Sequence, residues 1–453
     1  MALVSLLVFD SLLVANRGEI ARRVLRTAAA MGLRTIAVHS EADADLPFVR
    51  EADEAVLLGP APPAESYLDV QKVLEAARRS GADAVHPGYG FLAESAKFAQ
   101  AVIDAGLAWV GPSPDAIEAM GDKIRARNRM AAAGVPVAPG TPDPLTDVDA
   151  AVEAARGIGY PLMVKASAGG GGIGMGIAYD DGELRASFET ARTRAERFFS
   201  SPEILLERYV EHARHVEVQV LGLADGRVVA LGERDCSVQR RHQKVAEETP
   251  SPGVSDELRR RMLEGAARAG EAVGYRNAGT VECLVDPAAQ AYVFLEMNTR
   301  LQVEHPVTEL VTGIDLVEEQ LRIAAGDPPA ADLDNVAVRG HALELRVYAE
   351  DPKRFLPSPG AISTWKEPEG DGVRVDAGYT AGNTVTPHYD PLLAKLCVRG
   401  TDRADALARA RTAVDDFVIE GPKTNLPFFK ELLADGRFVS GAYDTGLIDE
   451  MRR

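Results

Sequence analysis

The sequence has 453 residues, of which 46% are hydrophobic and 26% are charged, and its formal net charge is −18. This length is too great for one compact core, so we expect two to four domains, and the acidic surface argues against binding of nucleic acids or anionic membranes. The three cysteines include no CxxC pair, which argues against a disulfide framework and indicates a reducing compartment, the cytoplasm.

The first 15 residues are apolar, but they include Asp10 and lack a basic start. We therefore expect no signal peptide. The sequence contains no window of about 18 uninterrupted apolar residues, so we also expect no membrane span.

The first 110 residues alternate predicted strands, at 12–15, 34–39, 82–86 and 108–111, with helical stretches such as 18–30. Such alternation predicts a parallel sheet with crossover helices. The first turn lacks the glycine pattern of dinucleotide-binding proteins. The segment around Tyr89 follows a predicted strand and should lie at the carboxyl edge, where such sheets bind ligands.

A glycine-rich run at residues 169–174 lies between predicted strands at 161–166 and 175–179. A dinucleotide fingerprint would need a helix after the run, and a P-loop would need Gly-Lys-Ser or Gly-Lys-Thr. A flexible surface hairpin remains an alternative. We favour a phosphate-binding lid, because bare backbone N–H groups can approach a phosphate and Lys165 can supply a positive charge.

Polar residues alternate with apolar ones after residue 294, and they are Glu296, Asn298, Arg300, Gln302 and Glu304. In an extended chain such residues share one face, so we predict a polar ladder along one strand. A solvated edge strand is the alternative. The first two side chains suit magnesium, Arg300 can hold a planar oxyanion, and Glu304 could act as a base beside it.

Glu282 lies in a second strand-like segment, residues 280–285. It adds a third oxygen donor, and its strand could pair with the strand of Glu296. The basic segment 234–244 is, taken alone, typical of a solvated loop, and a lone histidine such as His215 is more often structural than catalytic. Further strands are predicted at 341–348 and 392–398, and a helix at 403–418.

These segments together resemble the biotin carboxylases, from about residue 12 to about residue 447. The motifs are Ala-Asn-Arg-Gly-Glu-Ile at 15–20, His-Pro-Gly-Tyr-Gly-Phe-Leu at 86–92, Lys-Ala-Ser-Ala-Gly-Gly-Gly-Gly at 165–172, Glu-Arg-Asp-Cys-Ser at 233–237, Gln-Arg-Arg-His-Gln-Lys at 239–244 and Glu-Met-Asn-Thr-Arg-Leu-Gln-Val-Glu-His-Pro at 296–306.

The resemblance implies an α/β protein of the ATP-grasp fold. It implies a parallel-sheet domain at 1–120, an ATP-grasp domain at 121–330 with a mobile glycine-rich lid at about 140–210, and a carboxy-terminal biotin carboxylase domain at 331–453. The implied reaction is ATP- and bicarbonate-dependent carboxylation of biotin through carboxyphosphate, with magnesium or manganese, by one subunit of an acyl-CoA carboxylase or related carboxylase.

The resemblance also implies roles for residues of this sequence. Those expected to bind ATP or line its site are Lys123, Lys165, Gly170, Gly171, Gly172, Glu207, Arg208, Val210, His215, Gln239, His242, Glu282 and Glu296. Metal ligands would be Glu282, Glu296 and Asn298. Bicarbonate and biotin would contact Arg300, Gln302, Val303, Glu304, Arg346, Tyr89 and Lys244, with Glu304, Arg346, Lys244 and Arg300 catalytic.

The glycine run departs from many relatives at Ile173, where they carry Lys or Arg. We find no biotinylation motif and no carboxyltransferase region in the sequence. We therefore expect biotin to arrive on a separate carrier protein, a carboxyltransferase partner, and a homodimer. Two other functions are open: another ATP-grasp ligase, or a nucleotide-binding regulator without turnover.

Overall fold

The structure, a computed structural model, describes residues 9–167, 175–199, 202–241 and 243–453. The predictions for Gly170, Gly171, Gly172, Ile173 and His242 lie outside the described residues.

The amino-terminal region is a five-stranded parallel sheet in the order β3-β2-β1-β4-β5. Its strands are β1 Ser11–Val14, β2 Arg34–Ser40, β3 Glu54–Gly59, β4 Ala84–His86 and β5 Ala108–Trp109. Its helices are α1 Gly18–Ala30, α2 Pro47–Glu51, α3 Val70–Ser80, α4 Ala96–Asp104 and α5 Pro114–Gly121. The predicted parallel sheet with crossover helices is confirmed.

Helix α1 shows why this region folds as it does. Ile20, Val24 and Ala28 recur every four residues and are all buried, so they form one apolar stripe. The first turn, where α1 follows β1 at the carboxyl edge of the sheet, carries Glu19, which is also buried.

The middle region begins with a small antiparallel sheet in the order β7-β6-β8. Its strands are β6 Leu162–Ala166, β7 Gly176–Ala178 and β8 Ile204–Arg208. The helices of the middle region are α6 Lys123–Ala132, α7 Val148–Ile158, α8 Asp181–Phe199, α9 Asp256–Ala272, α10 His305–Thr312 and α11 Leu316–Ala325. Phe188 of α8 and Leu162 of β6 are fully buried in the same cluster, which packs helix on sheet.

An eight-stranded antiparallel sheet forms the centre of the molecule, in the order β13-β12-β9-β10-β11-β14-β19-β17. Its first strands are β9 Arg214–Gly222, β10 Val228–Arg240, β11 Gln243–Thr249, β12 Asn277–Asp286 and β13 Ala291–Asn298. The carboxy-terminal strands are β14 His341–Tyr348, β15 Gly360–Ala361, β16 Thr364–Lys366, β17 Val373–Ala377, β18 Thr384–Val385, β19 Leu392–Gly400 and β20 Val418–Glu420. The carboxy-terminal helices are α12 Arg403–Asp416, α13 Leu426–Ala434, α14 Gly436–Ser440 and α15 Leu447–Met451.

Strands β11 and β14 join the middle and carboxy-terminal regions by direct pairing, from Ala246 opposite Leu345 to Thr249 opposite Ala342. One continuous sheet therefore crosses the boundary that the sequence predicts near residue 330. The predicted strand at 341–348 and the predicted helix at 18–30 coincide with β14 and α1. The helix predicted at 403–418 ends at Asp416, where β20 soon begins.

Within the described part of the chain, no helix is both long enough and apolar enough to span a membrane.

Glu248 of β11 connects helix α12, strand β14 and the loop that contains Tyr443. Its carboxylate accepts hydrogen bonds from Arg403 of α12 at 2.7 and 2.9 Å, contacts His341 of β14 at 2.6 Å and accepts from the Tyr443 hydroxyl at 2.5 Å. Burial disfavours the charged form, but the contacts with His341 and Arg403 outweigh it and lower the pKa of Glu248 to about 2.

A depressed folded-state pKa means that Glu248 stabilises the fold above its ordinary pKa and loses that effect as the pH falls. We predict that the stability advantage of the wild type over Glu248→Gln shrinks by about 1 kcal/mol between pH 6 and pH 3.5. Thermal unfolding midpoints across this range measure it. Glu271→Gln, at an exposed position of α9, is the control. A constant difference between wild type and Glu248→Gln would contradict the prediction.

Candidate active site

Polar side chains from β9, β10, β11, β12 and β14 meet in one buried group, together with residues 299–304 that follow β13. At its centre, three carboxylates surround one ammonium group. We call these four residues the carboxylate cluster: Glu217, Glu282, Glu304 and Lys244.

Residues 299–304 correct the predicted ladder. Strand β13 ends at Asn298, and the segment up to Glu304 is neither strand nor helix. The chain turns here because α10 begins at His305, and the carbonyl of Gln302 contacts the His305 ring at 2.7 Å rather than a neighbouring strand. The prediction of one extended polar face through Glu304 is therefore wrong, whereas the pairing of Glu282 opposite Glu296 is confirmed.

Lys244 of β11 is the centre of the carboxylate cluster. Its ammonium donates to Glu217 at 2.5 Å, Glu282 at 2.9 Å and Glu304 at 2.6 Å. An ammonium group has three N–H donors, so all of them are engaged. Lys244 can contact a substrate only when it releases one of these carboxylates.

Burial and charge set the protonation of the cluster. Burial disfavours the ionised carboxylates, but Lys244 together with Arg346 and Arg234 holds the pKa of Glu304 well below its ordinary value. The pKa of Glu282 is likewise held well below its ordinary value against burial by Lys244. Glu304 is thus a buried carboxylate held in its ionised form, and a general base must be ionised to accept a proton.

Arg346 of β14 faces Glu304 from the other side. Its Nη2 lies 2.9 Å from Glu304 and 2.6 Å from Glu247 of β11. Burial, reinforced by the charge of Glu304, raises the pKa of Glu247 to about 7 although Arg346 opposes this. A guanidinium group fixed beside the base can stabilise an oxyanion that forms there.

Arg300 and Gln302 complete the walls of the site. Arg300 donates to Glu94 at 2.9 Å and to the Asn298 side-chain oxygen at 2.9 Å. Gln302 donates to Glu282 at 2.9 Å. The structure therefore brings Arg300, Gln302 and Glu304 around one site through a turn rather than through a strand.

The residues predicted to hold a metal lie on β12 and β13. Glu282 and Glu296 face each other across the two strands, and Asn298 is two residues further along β13. Burial raises the pKa of Glu296, and the neighbouring charge of Glu282 adds to this rise. The side-chain nitrogen of Asn298 is buried without a partner among the described residues. Two adjacent carboxylates and an amide oxygen are hard donors that fit magnesium once Lys244 releases Glu282 and Arg300 releases the Asn298 oxygen.

A second group of side chains that could bind a metal is already neutralised by a lysine of the protein. Atoms of His215, Glu217 and Glu282 lie within 4.8 Å of one another. The ammonium of Lys244 bonds two of these three residues, so a fixed positive charge already stands where a cation would otherwise balance them.

The predicted phosphate-binding lysines lie on two different elements. Lys123, the first residue of α6, approaches Glu296 at 3.9 Å. Lys165 of β6 pairs with Glu207 of β8 at 2.6 Å, and the Arg208 amide donates to the Pro139 carbonyl at 2.7 Å. Val210 lies two residues beyond the end of this strand. The lysines therefore lie beside carboxylates that a polyphosphate would displace.

His215 and Gln239 border the carboxylate cluster. The ring of His215 contacts Glu282 at 2.9 Å on one side and Gln239 at 2.7 Å on the other. Burial disfavours the charged ring, but Glu282 outweighs burial and raises the pKa of His215. Tyr89 lies apart from these residues, and its hydroxyl donates to Glu19 of α1.

The interpretation of residues 234–244 as a solvated loop is wrong. Residues 234–240 lie in β10 and residues 243 and 244 lie in β11, and Arg234 is completely buried. Its guanidinium bonds Glu217 at 2.6 Å, Gln219 at 2.8 Å and Thr308 at 2.9 Å. The charge of this segment alone suggested that it is exposed to solvent. The partners that compensate for the burial of Arg234 lie on β9 and α10, which are distant in sequence.

Sequence reasoning also missed Glu217, Glu247 and Glu94. For Glu217 a signal was present: His215, Glu217 and Gln219 alternate along β9 and share one face. Glu247 and Glu94 carry no such local pattern, because strand pairing and packing alone bring them to Arg346 and Arg300.

Comparison with known proteins matches most of the chain to three family models. The family model of the biotin carboxylase N-terminal domain matches residues 8–117, and that of the biotin carboxylase C-terminal domain matches residues 344–450. Between them, the ATP binding domain of the carbamoyl-phosphate synthase L chain matches residues 122–331.

Relatives that match over nearly their whole length, and solved structures, support the same family assignment. The chain is 51% identical to a biotin carboxylase of Halalkalibacterium halodurans over 97% of both chains. It is 46% identical to a pyruvate carboxylase subunit of Methanothermobacter thermautotrophicus, over 98% of this chain and 90% of the relative. A crystal structure of Campylobacter jejuni biotin carboxylase in a nucleotide complex superposes with a TM-score of 0.94 at 41% identity, over 98% of this chain and 99% of that one. The biotin carboxylase domain dimer of Hydrogenobacter thermophilus 2-oxoglutarate carboxylase, with MgADP and bicarbonate, superposes with a TM-score of 0.92 at 42% identity, over 98% and 97% of the chains.

We predict that Arg234→Met lowers the free energy of unfolding by about 3–5 kcal/mol, because it removes a buried cation and leaves excess negative charge around Glu217. Arg234→Met combined with Glu217→Gln should recover part of this loss, since the excess carboxylate is then neutral. Urea unfolding of the wild type and both variants measures the difference. Equal midpoints for the wild type and Arg234→Met would contradict the role assigned to this buried pair.

Proposed function

The chain belongs to the biotin carboxylase family of ATP-grasp ligases, and from this premise we propose how its residues divide the ATP- and bicarbonate-dependent carboxylation of biotin. The observation that carries the proposal is the convergence of Glu304, Lys244 and Arg346 within hydrogen-bond distance in a buried site.

Glu304 is the general base for bicarbonate. It is ionised, it is 2% exposed, and Arg300 and Gln302 come from the same turn to hold the anion. The base takes the proton of bicarbonate, and the resulting oxygen attacks the γ-phosphorus of ATP to give carboxyphosphate and ADP. Lys244 offsets the negative charge that Glu304 and bicarbonate bring together.

We assign phosphate binding to Lys123 and Lys165, which exchange their contacts with Glu296 and Glu207 for the phosphate oxygens of ATP. Glu282, Glu296 and Asn298 would hold magnesium, which when bound neutralises charge on the transferring phosphoryl group. The lysines supply the same stabilisation from fixed positions on α6 and β6.

Arg346 acts in the second half-reaction. Carboxyphosphate breaks down to carbon dioxide and phosphate, and the phosphate removes the ureido proton of biotin. Arg346 stabilises the enolate oxygen of biotin, and the enolate nitrogen attacks carbon dioxide to give carboxybiotin. Protonation of Glu304 in the first step weakens its hold on Arg346, which leaves more of the guanidinium charge for the enolate.

We further propose that biotin is carried by a separate biotin carboxyl carrier protein and that a carboxyltransferase partner receives the carboxyl group. Relatives that are themselves single subunits, such as the pyruvate carboxylase subunit of Methanothermobacter thermautotrophicus, support a divided system, and the dimeric domain of 2-oxoglutarate carboxylase supports a homodimer. The three free, buried cysteines support a cytoplasmic location. The domain division at 1–120, 121–330 and 331–453 remains part of this proposal.

We predict that the purified chain releases ADP from Mg-ATP only with bicarbonate, and that free biotin stimulates the rate. A coupled ADP assay with each component omitted measures it, and chelation of the metal should stop it. Carbamoyl phosphate formed from ammonia, without stimulation by biotin, would instead assign another ATP-grasp ligase. Binding of ATP with no turnover, even on biotinylated carrier proteins, would assign a regulator.

We predict that Glu304→Gln lowers biotin-stimulated ADP release at least a hundredfold, because the amide keeps the size of the side chain but cannot accept the proton. Its affinity for a non-hydrolysable ATP analogue should stay within a few-fold of wild type, since the lysines assigned to the phosphates, Lys123 and Lys165, contact Glu296 and Glu207 rather than Glu304. Glu257→Gln, an exposed position on α9, is the matched control. Retention of a tenth or more of the activity in Glu304→Gln would rule out this base.

A further inference from the structure

A second cation beside Arg346 reaches the turn that carries the base. Lys395 lies directly opposite Arg346 on the neighbouring strand β19. Its side chain is fully buried, and its ammonium donates to the backbone carbonyl of Val303 at 3.1 Å. Arg346 meanwhile bonds the carboxylate of Glu304, the next residue. The cross-strand pair thus holds two consecutive residues: Lys395 bonds the backbone of Val303, and Arg346 bonds the side chain of Glu304.

The turn has no strand ladder to fix it. Residues 299–304 lie between the end of β13 and the start of α10, so side chains must supply what backbone pairing supplies elsewhere. The side chain of Gln302 is held by Arg234 at 3.2 Å and by Glu282. The backbone carbonyl just before Glu304 belongs to Val303. Among the described residues, Lys395 donates a hydrogen bond to it.

Two carboxylates on different elements hold the Lys395 ammonium in place. Asp376 faces it across β17 and β19 with a nitrogen-to-oxygen distance of 3.8 Å, and Glu19 from α1 approaches at 2.9 Å. Burial disfavours the ammonium, but Glu19 and Asp376 outweigh burial and raise the pKa of Lys395. One charged group therefore connects the amino-terminal helix, the carboxy-terminal strands and the turn of the base.

We propose that Lys395 is a positioning residue for the general base: by holding the Val303 carbonyl it fixes the backbone from which Glu304 reaches bicarbonate. This inference rests on the proposed function of Glu304. Lys395 contacts the backbone of Val303 rather than the carboxylate of the base, so we assign it a geometric effect. Misplacement of a catalytic group by about 1 Å costs on the order of a hundredfold in rate.

A matched pair of variants separates positioning from simple charge balance. Lys395→Met alone would leave Glu19 buried beside an apolar side chain and could fail to fold for that reason. Glu19→Gln keeps the ammonium and removes the charge of its partner. Lys395→Met combined with Glu19→Gln then removes the ammonium without leaving that unpaired carboxylate, while Asp376 retains Arg374 and Arg26 as partners.

The double variant should lose at least thirtyfold in kcat/KM for bicarbonate relative to Glu19→Gln, with KM for ATP within threefold. Hydrogen exchange of the amides at residues 300–305 should be faster in the double variant, and this readout does not depend on activity. Glu19→Gln itself should stay within about threefold of wild type in kcat/KM, because the glutamine side-chain oxygen can still accept a hydrogen bond from the Lys395 ammonium.

The outcomes are distinct. Equal kcat/KM and equal exchange in the two variants would overturn the proposal. A double variant that does not fold when Glu19→Gln does would assign Lys395 a structural role and also overturn it. If the wild type shows no bicarbonate-dependent turnover, the proposed function fails instead, and exchange at 300–305 still decides whether Lys395 holds the turn.

Discussion

The excess of buried carboxylates on and beside the central sheet is the constraint on which the site depends. Glu217, Glu282 and Glu304 come from three places in the chain and meet around the single ammonium of Lys244. Lys244 acts together with Arg346 and Arg234, and without this positive charge the mutual repulsion and loss of hydration would favour protonated carboxylates. With it, Glu304 stays ionised in a buried site, and the chemistry assigned to a base becomes available at neutral pH.

The continuous sheet explains how the cluster is assembled. Strands β9 to β13 supply Glu217, Lys244 and Glu282, whereas β14 and β19 supply Arg346 and Lys395, and direct pairing of β11 with β14 fixes their spacing. The base itself lies on neither set of strands but on a turn held by cations from both. A rigid sheet thus positions the charges, and the turn carries the reactive group between them.

Local sequence pattern predicted the regular elements well, and the turn poorly. Helix α1 and strand β14 follow from apolar periodicity, which depends on near neighbours in the chain. The alternation from residue 296 to residue 304 looked like one strand, but its second half is irregular, because contacts with Arg234 and Lys395 replace a ladder. Those contacts join residues 68 and 92 positions apart in sequence, so no local pattern could reveal them.

The site residues likewise fall into two groups: those that the sequence indicated and those that only the structure shows. Resemblance to biotin carboxylases named Glu304, Lys244 and Arg346, and the structure brings them together. The residues that support them, such as Glu217 and Glu247, required three-dimensional pairing to be found. Strand alternation hinted at Glu217, but only packing shows that it shares Lys244 with the base.

A crystal structure of the chain with ADP and bicarbonate tests the central claim most directly. The account predicts the anion within hydrogen-bond distance of Arg300, Gln302 and Glu304, with Lys244 no longer bonded to all three carboxylates. Bicarbonate bound away from Glu304, with the three bonds of Lys244 unchanged, would contradict it.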